Sequence, residues 1–444
     1  MKRMLLAMVI ALTCLTAAAA DGLRVVYDTT RTAVSSQGSS TPGEKVTRES
    51  MSVVLLPSAL VVRSGEQDAV YDFGSRRVTT LDHTKQISKE YAFYAWPAFL
   101  EREMVNRQAI YRMAREIDLS RDVDMIDAES QLSMTAEPPT KLKFKEKKQG
   151  ETRVFLLNGR EATLLTPSAT AIPQELRHAF TQLLLQSGAL HPRVREQVVA
   201  DGRLPQRLEF RWREIGERNT VVWELQETAA ESVDVAALSA KYPRQPLESE
   251  GLVGLAWRVS RGEFGAAPAA VAYAERAERL LAEGRRLEAL LVALECSYAT
   301  GTVDDALLKK TWEASAADPQ AQAVRRATQI EVEMGSPQEA LALLEAMKVE
   351  GLEGAASVHI MRAMQRITAG EHDHALEDFA RALAINPLMV GPWMDAGRIY
   401  HDSYRAHFAW ACWEAVRAFA PGAESLKQID QREADLVRKH PEFF

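Results

Sequence analysis

The stretch His372-Asp-His-Ala375-Leu-Glu-Asp-Phe379-Ala-Arg-Ala382-Leu-Ala-Ile-Asn-Pro387 decides the fold of the second half of this chain. Small and large apolar residues recur at helical spacing, and Asn-Pro stops the run. The pattern Ala375, Phe379, Ala382, Pro387 returns 34 residues later as Ala409, Trp413, Val416, Pro421. A period of 34 belongs to stacked helical hairpins, where each unit buries its apolar face only against its neighbours.

Working outward, Gly284, Gly335 and Gly370 each stand five residues before an alanine, Ala289, Ala340 and Ala375. Glycine supplies the backbone angle of a tight turn, and alanine lets two helix axes approach. The spacing predicts hairpins near 268–300, 319–349, 354–387 and 388–421, with a polar-faced terminal helix from Ala423 to Lys439. An extra helical stretch, Asp304 to Ala317, breaks the register between the first two. Ala289 to Ala340 is 51 residues rather than 34. These residues resemble the tetratricopeptide repeat family. Trp393, Ala396, Gly397, Tyr400, Ala409, Trp413, Val416 and Pro421 fall on its signature positions, while Tyr404 stands where glycine is usual. The resemblance implies an all-α helical-hairpin repeat solenoid that holds other proteins. Trp393 and Trp413 should be buried on the two helices of one hairpin, near 389–402 and 405–419, with Ala409 at their closest approach.

Before about Pro246 the period is near two. Leu23–Tyr27, Met51–Leu56, Ala59–Arg63, Ala69–Phe73 and Arg77–Leu81 are separated by short polar breaks, as in an antiparallel meander. Trp96 to Ile117 reads as a helix, and a polar connector ends at Pro138-Pro139. Strands resume with Lys141–Lys145 and with a hairpin on Asn158-Gly159. An amphipathic helix from Gln174 to Gln186 follows, then strands Arg207–Arg213 and Thr220–Leu225 joined through Gly216. In texture this order resembles the half-barrel domains of periplasmic lipoprotein carriers. That resemblance implies a curved sheet able to hold a lipid or lipoprotein acyl chain; a sheet packed on its own helices is the alternative. The fold class expected is thus α+β and multidomain. An antiparallel β-rich, half-barrel-like domain (21–246) is followed by a linker (247–267) and the helical repeats (268–444).

Residues 1–20 carry Lys2 and Arg3, an apolar run Met4–Leu15 too short to span a bilayer, and the small residues Ala17–Ala20. They read as a secretory signal cleaved before Asp21, with retention as an uncleaved anchor the alternative, which places the mature chain in the periplasm of a bacterial cell. Only Cys296 and Cys412 remain after cleavage, both on apolar helix faces, and are read as buried thiols rather than a disulfide. The formal charge is −7, or −9 without Lys2 and Arg3, which argues against nucleic acid as a partner.

Catalytic and cofactor motifs are absent: no His-Glu-x-x-His, no phosphate-binding Gly-Lys-Ser/Thr loop, no Gly-x-Ser-x-Gly, no Cys-x-x-Cys. No catalytic residue, cofactor or metal is therefore assigned. His372 and His374 read as a solvated turn, and Asp82-His83 as a hairpin turn. A hydrolase whose parts are scattered in sequence stays open through His83, His178 and His191. The run Lys141, Lys143, Lys145, Lys147 and Lys148 reads as a wet strand face that could meet anionic lipid headgroups. The span from Pro268 has 27 acidic and 19 basic residues, so cations that could grip a partner's carboxylates are few. Arg362, Arg366 and Arg398, on first helices of their hairpins, are the candidates. Tyr404, Phe408 and Trp410 are aromatic away from signature positions and are candidates for a partner surface. The function expected is a non-enzymatic scaffold that binds an envelope protein or peptide through its repeats.

Overall fold

The computed structural model describes residues 21–35, 44–116, 143–186, 190–214 and 217–444. The signal-like segment 1–20, the connector 117–142 with Lys141, and Gly216 lie outside the described residues.

The first half is an open, 12-stranded sheet. Six strands come first: β1 (Asp21–Ser35), β2 (Glu44–Leu55), β3 (Ala59–Ser64), β4 (Gln67–Asp72), β5 (Arg77–Asp82) and β6 (Ile87–Ala92). Helix α1 (Ala95–Glu116) follows, then β7 (Phe144–Gln149), β8 (Thr152–Leu157) and β9 (Arg160–Ala171). Next come α2 (Arg177–Gln186), α3 (Pro192–Ala200), β10 (Arg203–Glu214), β11 (Glu217–Ser232), the short α4 (Val235–Ser239) and β12 (Arg244–Gln245). The order across the sheet is β12-β6-β5-β4-β3-β2-β1-β11-β10-β9-β8-β7. Every pairing is antiparallel except β12 with β6. Two local meanders are thus zipped together by β1 and β11, which pair from Asp21↔Ser232 to Ser35↔Glu217.

Alternation divides the sheet's side chains between two faces. One face, with Val25, Tyr27, Leu55, Leu60, Phe155, Leu208, Phe210 and Trp223, packs on Phe180, Leu183, Leu184, Val194 and Val198 of α2 and α3. The other, with Val54, Val61, Val70 and Leu81, is partly covered by Val235, Leu238 and Tyr242. The lysine-rich β7 is an edge strand, and its exposed Lys145, Lys147 and Lys148 discourage pairing with another chain.

The second half is helical. Its elements are α5 (Gly251–Ser260), α6 (Ala270–Ala282), α7 (Arg286–Thr300), α8 (Asp305–Ala314), α9 (Gln322–Val332) and α10 (Pro337–Glu345). They continue with α11 (Ala355–Thr368), α12 (His372–Ile385), α13 (Val390–Asp402), α14 (Ala406–Phe419) and α15 (Leu426–Lys439). Side-chain caps set several starts: Asp304 accepts from the Leu307 N–H at α8, and Ser336 from the Glu339 N–H at α10. Four hairpins, α6–α7, α9–α10, α11–α12 and α13–α14, pack helix on helix. Trp393 and Trp413 are buried on α13 and α14, and Ala409 is completely buried. Cys296 and Cys412 are buried free thiols.

The chain divides into a sheet unit, reaching Phe93 and including Leu100–Gln245 and Lys439–Phe444, and a helical unit of Tyr94–Phe99 and Pro246–Arg438. The expected linker 247–267 is corrected here, because it carries α5. Leu252, Val253, Ala256 and Val259 form an apolar stripe buried against α14 and α12. Glycines flank that stripe, as in a connector, but its helical periodicity prevails. The sequence boundaries also miss two short exchanges: Tyr94–Phe99 belongs with the helices, and the last six residues belong with the sheet.

Candidate functional site

The first helices of the last three hairpins, α9, α11 and α13, line an inner groove of the helical unit. The chain fills that groove with its own helix α7. Ten of the fifteen residues of α7 are buried, on all sides of the helix rather than one stripe. Leu287, Leu290 and Leu291 share a core with Val324, Ala327 and Ile330 of α9 and with Val358 and Met361 of α11. Helix α7 also packs along α11 and α13. A serial stack of hairpins, as the 34-residue spacing implies, would place α7 beside its neighbour alone. The structure instead folds the first hairpin inward.

Close approach is made possible by small residues at the N-termini of the groove helices. Gly354, at φ +76°, lies so near α7 that a Cβ would come within 2.7 Å of the Leu291 carbonyl carbon and the Val292 nitrogen. A Cβ on Gly391 would lie 3.2 Å from the Tyr298 carbonyl oxygen. Polar contacts fix the helix in place. The Ser357 hydroxyl donates to the Leu291 carbonyl at 2.8 Å. The Asp318 carboxylate accepts from the Leu287 N–H at 3.2 Å and caps α7 from a distant loop. The Glu353 N–H donates to Glu288 at 2.8 Å, and Asn386 Nδ2 donates to Glu295 at 2.7 Å. Glu295 is buried, which pushes its carboxyl above the ordinary carboxylate range despite the Asn386 hydrogen bond.

The predicted arginines do something other than face an open groove. Arg362 and Arg366 of α11 both pair with Asp378 of α12, at 2.9 and 2.8 Å, and Arg381 joins at 2.9 Å. Asp378 has no exposed surface. Burial pushes its carboxyl up, but His359, Arg362 and Arg366 outweigh that and hold it below the ordinary range. Arg366 also reaches Glu345 of α10 at 2.9 Å, so this network ties α10, α11 and α12 together. Arg398 is the exposed member of the set, paired with Asp395 at 3.0 Å.

The aromatic candidates are mostly enclosed. Trp410 is fully buried, stacks on Tyr94 with ring centroids 6.2 Å apart, and donates to Glu433 at 2.8 Å. Phe408 is buried against Tyr400. Tyr404 meets Phe99 edge-on, and its φ of +64° is a left-handed conformation costly for a side-chain-bearing residue. The surface expected from sequence for a partner is therefore corrected at Phe408 and Trp410. Signature positions count only contacts within the stack, and the segment Tyr94–Phe99 packs on residues outside them.

In the sheet unit, the face that would hold an acyl chain is occupied by α2 and α3. A surface depression of about 790 Å³ lies between the β7–β8 turn and the end of α3. Its lining is charged, with Glu146, Lys148, Arg153, Asp201 and Arg203, the wrong chemistry for a hydrocarbon tail. Arg153 is already engaged by Glu146 at 2.8 Å and by Asp201 at 3.5 Å.

Of the histidines weighed for catalysis, His83 bridges two groups: its Nε2 lies 3.1 Å from Asp68 and its Nδ1 2.9 Å from the Tyr242 hydroxyl. This row links β4 to the segment after α4. His178 lies edge-on to Phe73, with its pKa lowered by burial. His191 accepts the Arg193 N–H at the start of α3. His374 is exposed beside Glu371, and among the described residues no group of three or more His, Cys, Asp or Glu side chains could hold a metal.

No protein-family model and no curated protein matches this chain.

Proposed function

We propose that this chain is an exported, non-enzymatic interaction protein of the bacterial cell envelope, whose helical unit is a tetratricopeptide-type stack that holds a protein partner. The supporting observation is the run of four packed helical hairpins. Helices α9, α11 and α13 meet a helix through apolar side chains, glycine close approaches and main-chain hydrogen bonds, which is how helical grooves recognise helices. Export rests on the charged, apolar and small-residue order of residues 1–20. Because α7 fills the groove, the partner is met on the outer surface. There Arg398 is exposed, and Val332 and Met334 at the α9–α10 turn are 78% and 92% exposed.

Site-specific photo-crosslinking in cells tests this reading. A photoreactive residue at Met334 or Arg398 should capture one defined envelope protein, and one at Lys147 on β7 should not. Capture from Lys147 alone would move the interaction to the sheet unit. Captures of many proteins with no dominant species would remove a specific partner.

A further inference from the structure

A row of three side chains in the sheet unit has the connectivity of an activated nucleophile. Asp68 of β4 is 8% exposed. Its carboxylate lies 3.1 Å from Nε2 of His83, the first residue after β5. The other ring nitrogen, Nδ1, lies 2.9 Å from the hydroxyl of Tyr242, which follows α4. An ionised carboxylate only accepts hydrogen bonds, so the neutral imidazole carries its proton on Nε2. Nδ1 is then an acceptor, and the Tyr242 hydroxyl is the donor. The row is thus set to draw the proton from tyrosine to histidine, with a carboxylate behind.

The fold fixes each member. The His83 N–H donates to the Glu66 carbonyl at 2.9 Å. Asp68 sits between Arg63 of β3 and Leu81 of β5 in the ladder. Ser88 of β6 holds the tyrosine's main chain: its hydroxyl donates to the Tyr242 carbonyl at 3.1 Å, and its N–H to the Pro243 carbonyl at 3.0 Å. The Lys241 ammonium stands 5.1 Å from the Tyr242 ring centroid, a cation that favours an electron-rich ring as the phenol loses its proton. The His83 side chain is 27% exposed and Tyr242 is half-buried, so the row is open to solvent at its reactive end. Water satisfies a tyrosine hydroxyl this near the surface. The ordered Asp–His pair behind it is more than that need demands.

We propose that Tyr242 is a nucleophilic acceptor of acyl groups from activated esters, with His83 as its general base and Asp68 as the positioning residue. The Tyr242 oxygen attacks the ester carbonyl carbon, and its proton passes to His83 Nδ1. Asp68 stabilises the resulting imidazolium. The tetrahedral adduct collapses, the bond from carbon to the leaving oxygen breaks, and the leaving group departs with the proton from His83. The products are O-acyl-Tyr242 and the free hydroxyl compound. A tyrosyl ester is itself the ester of a phenol of pKa about 10. The donor therefore needs a leaving group at least as acidic as a phenol, which selects aryl esters over alkyl esters. The transfer would mark the sheet unit covalently and is independent of the helical surface discussed above.

The test treats the full chain with p-nitrophenyl acetate and follows acetylation residue by residue with peptide mass spectrometry. Tyr242 should be acetylated at least tenfold faster than the likewise half-buried Tyr404. His83→Gln and Asp68→Asn should each slow Tyr242 at least tenfold while the circular dichroism spectrum is kept. Asparagine donates to Nε2 and leaves the proton on Nδ1, the wrong tautomer for a base. Nitrogen NMR of the parent protein reads that tautomer directly, and His83 should carry its proton on Nε2. The proposal is overturned if Tyr242 reacts no faster than Tyr404, or if folded His83→Gln and Asp68→Asn variants keep the parent rate. A parent His83 protonated on Nδ1 alone also overturns it. Should either variant unfold, the rate ratio and the nitrogen spectrum of the parent decide without it.

Discussion

Asp378→Asn is the sharpest probe of the helical unit, because it keeps the side chain's volume and removes one charge. Asp378 is fully enclosed and faces three guanidiniums at 2.8–2.9 Å. Arg362 and Arg366 are only 15% and 13% exposed, so the loss leaves two largely desolvated cations without their counter-ion. Breaking a buried pair from one side costs about 3–5 kcal/mol. Arg366 keeps Glu345 at 2.9 Å, and Arg381 is half exposed and screened, so the lower end, about 3 kcal/mol, is expected. The result should appear as a lower urea midpoint for the helical transition, read by near-ultraviolet circular dichroism, with an unchanged slope. pH gives an internal control. The folded carboxyl is held below its ordinary value, so its contribution is complete above the unfolded value of about 3.9 and is lost as pH falls through the lower folded value. Parent and variant should therefore converge in strong acid. An Asp378→Asn variant within about 1 kcal/mol of the parent at pH 7 would show that the arginines do not depend on this carboxylate.

Three further outcomes are expected. Ala409→Leu, at a completely buried position between α13 and α14, should destabilise the helical unit by about 1–3 kcal/mol in thermal melts, and a parent-like melt would mean the hairpin is not closely packed there. Gly354→Ala should cost about 2 kcal/mol or more and expose α7 to limited proteolysis, since a Cβ has no room against the Leu291 backbone and the left-handed φ disfavours alanine; unchanged protease resistance would refute the close approach. Burial, with Arg193 and Arg195 nearby, pushes His191 down to about 4, so the unfolded state takes up the proton first and stability falls as pH drops from about 6.5 towards 4. The loss should approach about 3 kcal/mol at most and vanish in His191→Gln, measured by urea titration at pH 7 and about pH 4.5.

The helical half was legible because its signals are local. Ala375, Phe379 and Ala382 mark one hairpin within a few turns of helix, and α12 and α14 begin and end within a few residues of the spans read from them. Turn chemistry was legible only in part. Gly284 and Gly370 take φ of +79°, but beside Gly335 it is Met334 that adopts the left-handed angle. The path of the first hairpin was not legible, because Leu287, Leu290 and Leu291 look alike whether they face a neighbour in a stack or the inside of a groove. In the sheet, the short alternating runs were visible, and so was the Asn158-Gly159 turn. The pairing of β1 with β11 joins residues some two hundred positions apart and leaves no local trace. Helix α3 is hard to read because Pro192–Ala200 is short and half polar, although Pro at its first position is a usable start signal. Arg362 and Arg366 look available in sequence only because their partner, Asp378, sits on the next helix and is recognisable as a mate only in three dimensions.

One theme connects the two units when each is taken by itself. In the helical unit, the inner groove holds α7 and the aromatic patch holds Tyr94–Phe99. In the sheet unit, the face suited to a guest holds α2 and α3, and buried polar groups there hold Glu442. The helices among these occupants are parts of the fold rather than guests. Helices α2, α3 and α7 contribute large fully buried side chains to continuous cores, and removing them would expose far more apolar surface than a protein of ordinary stability can tolerate. On the proposed reading, a partner of the helical unit is met on surface that is already exposed.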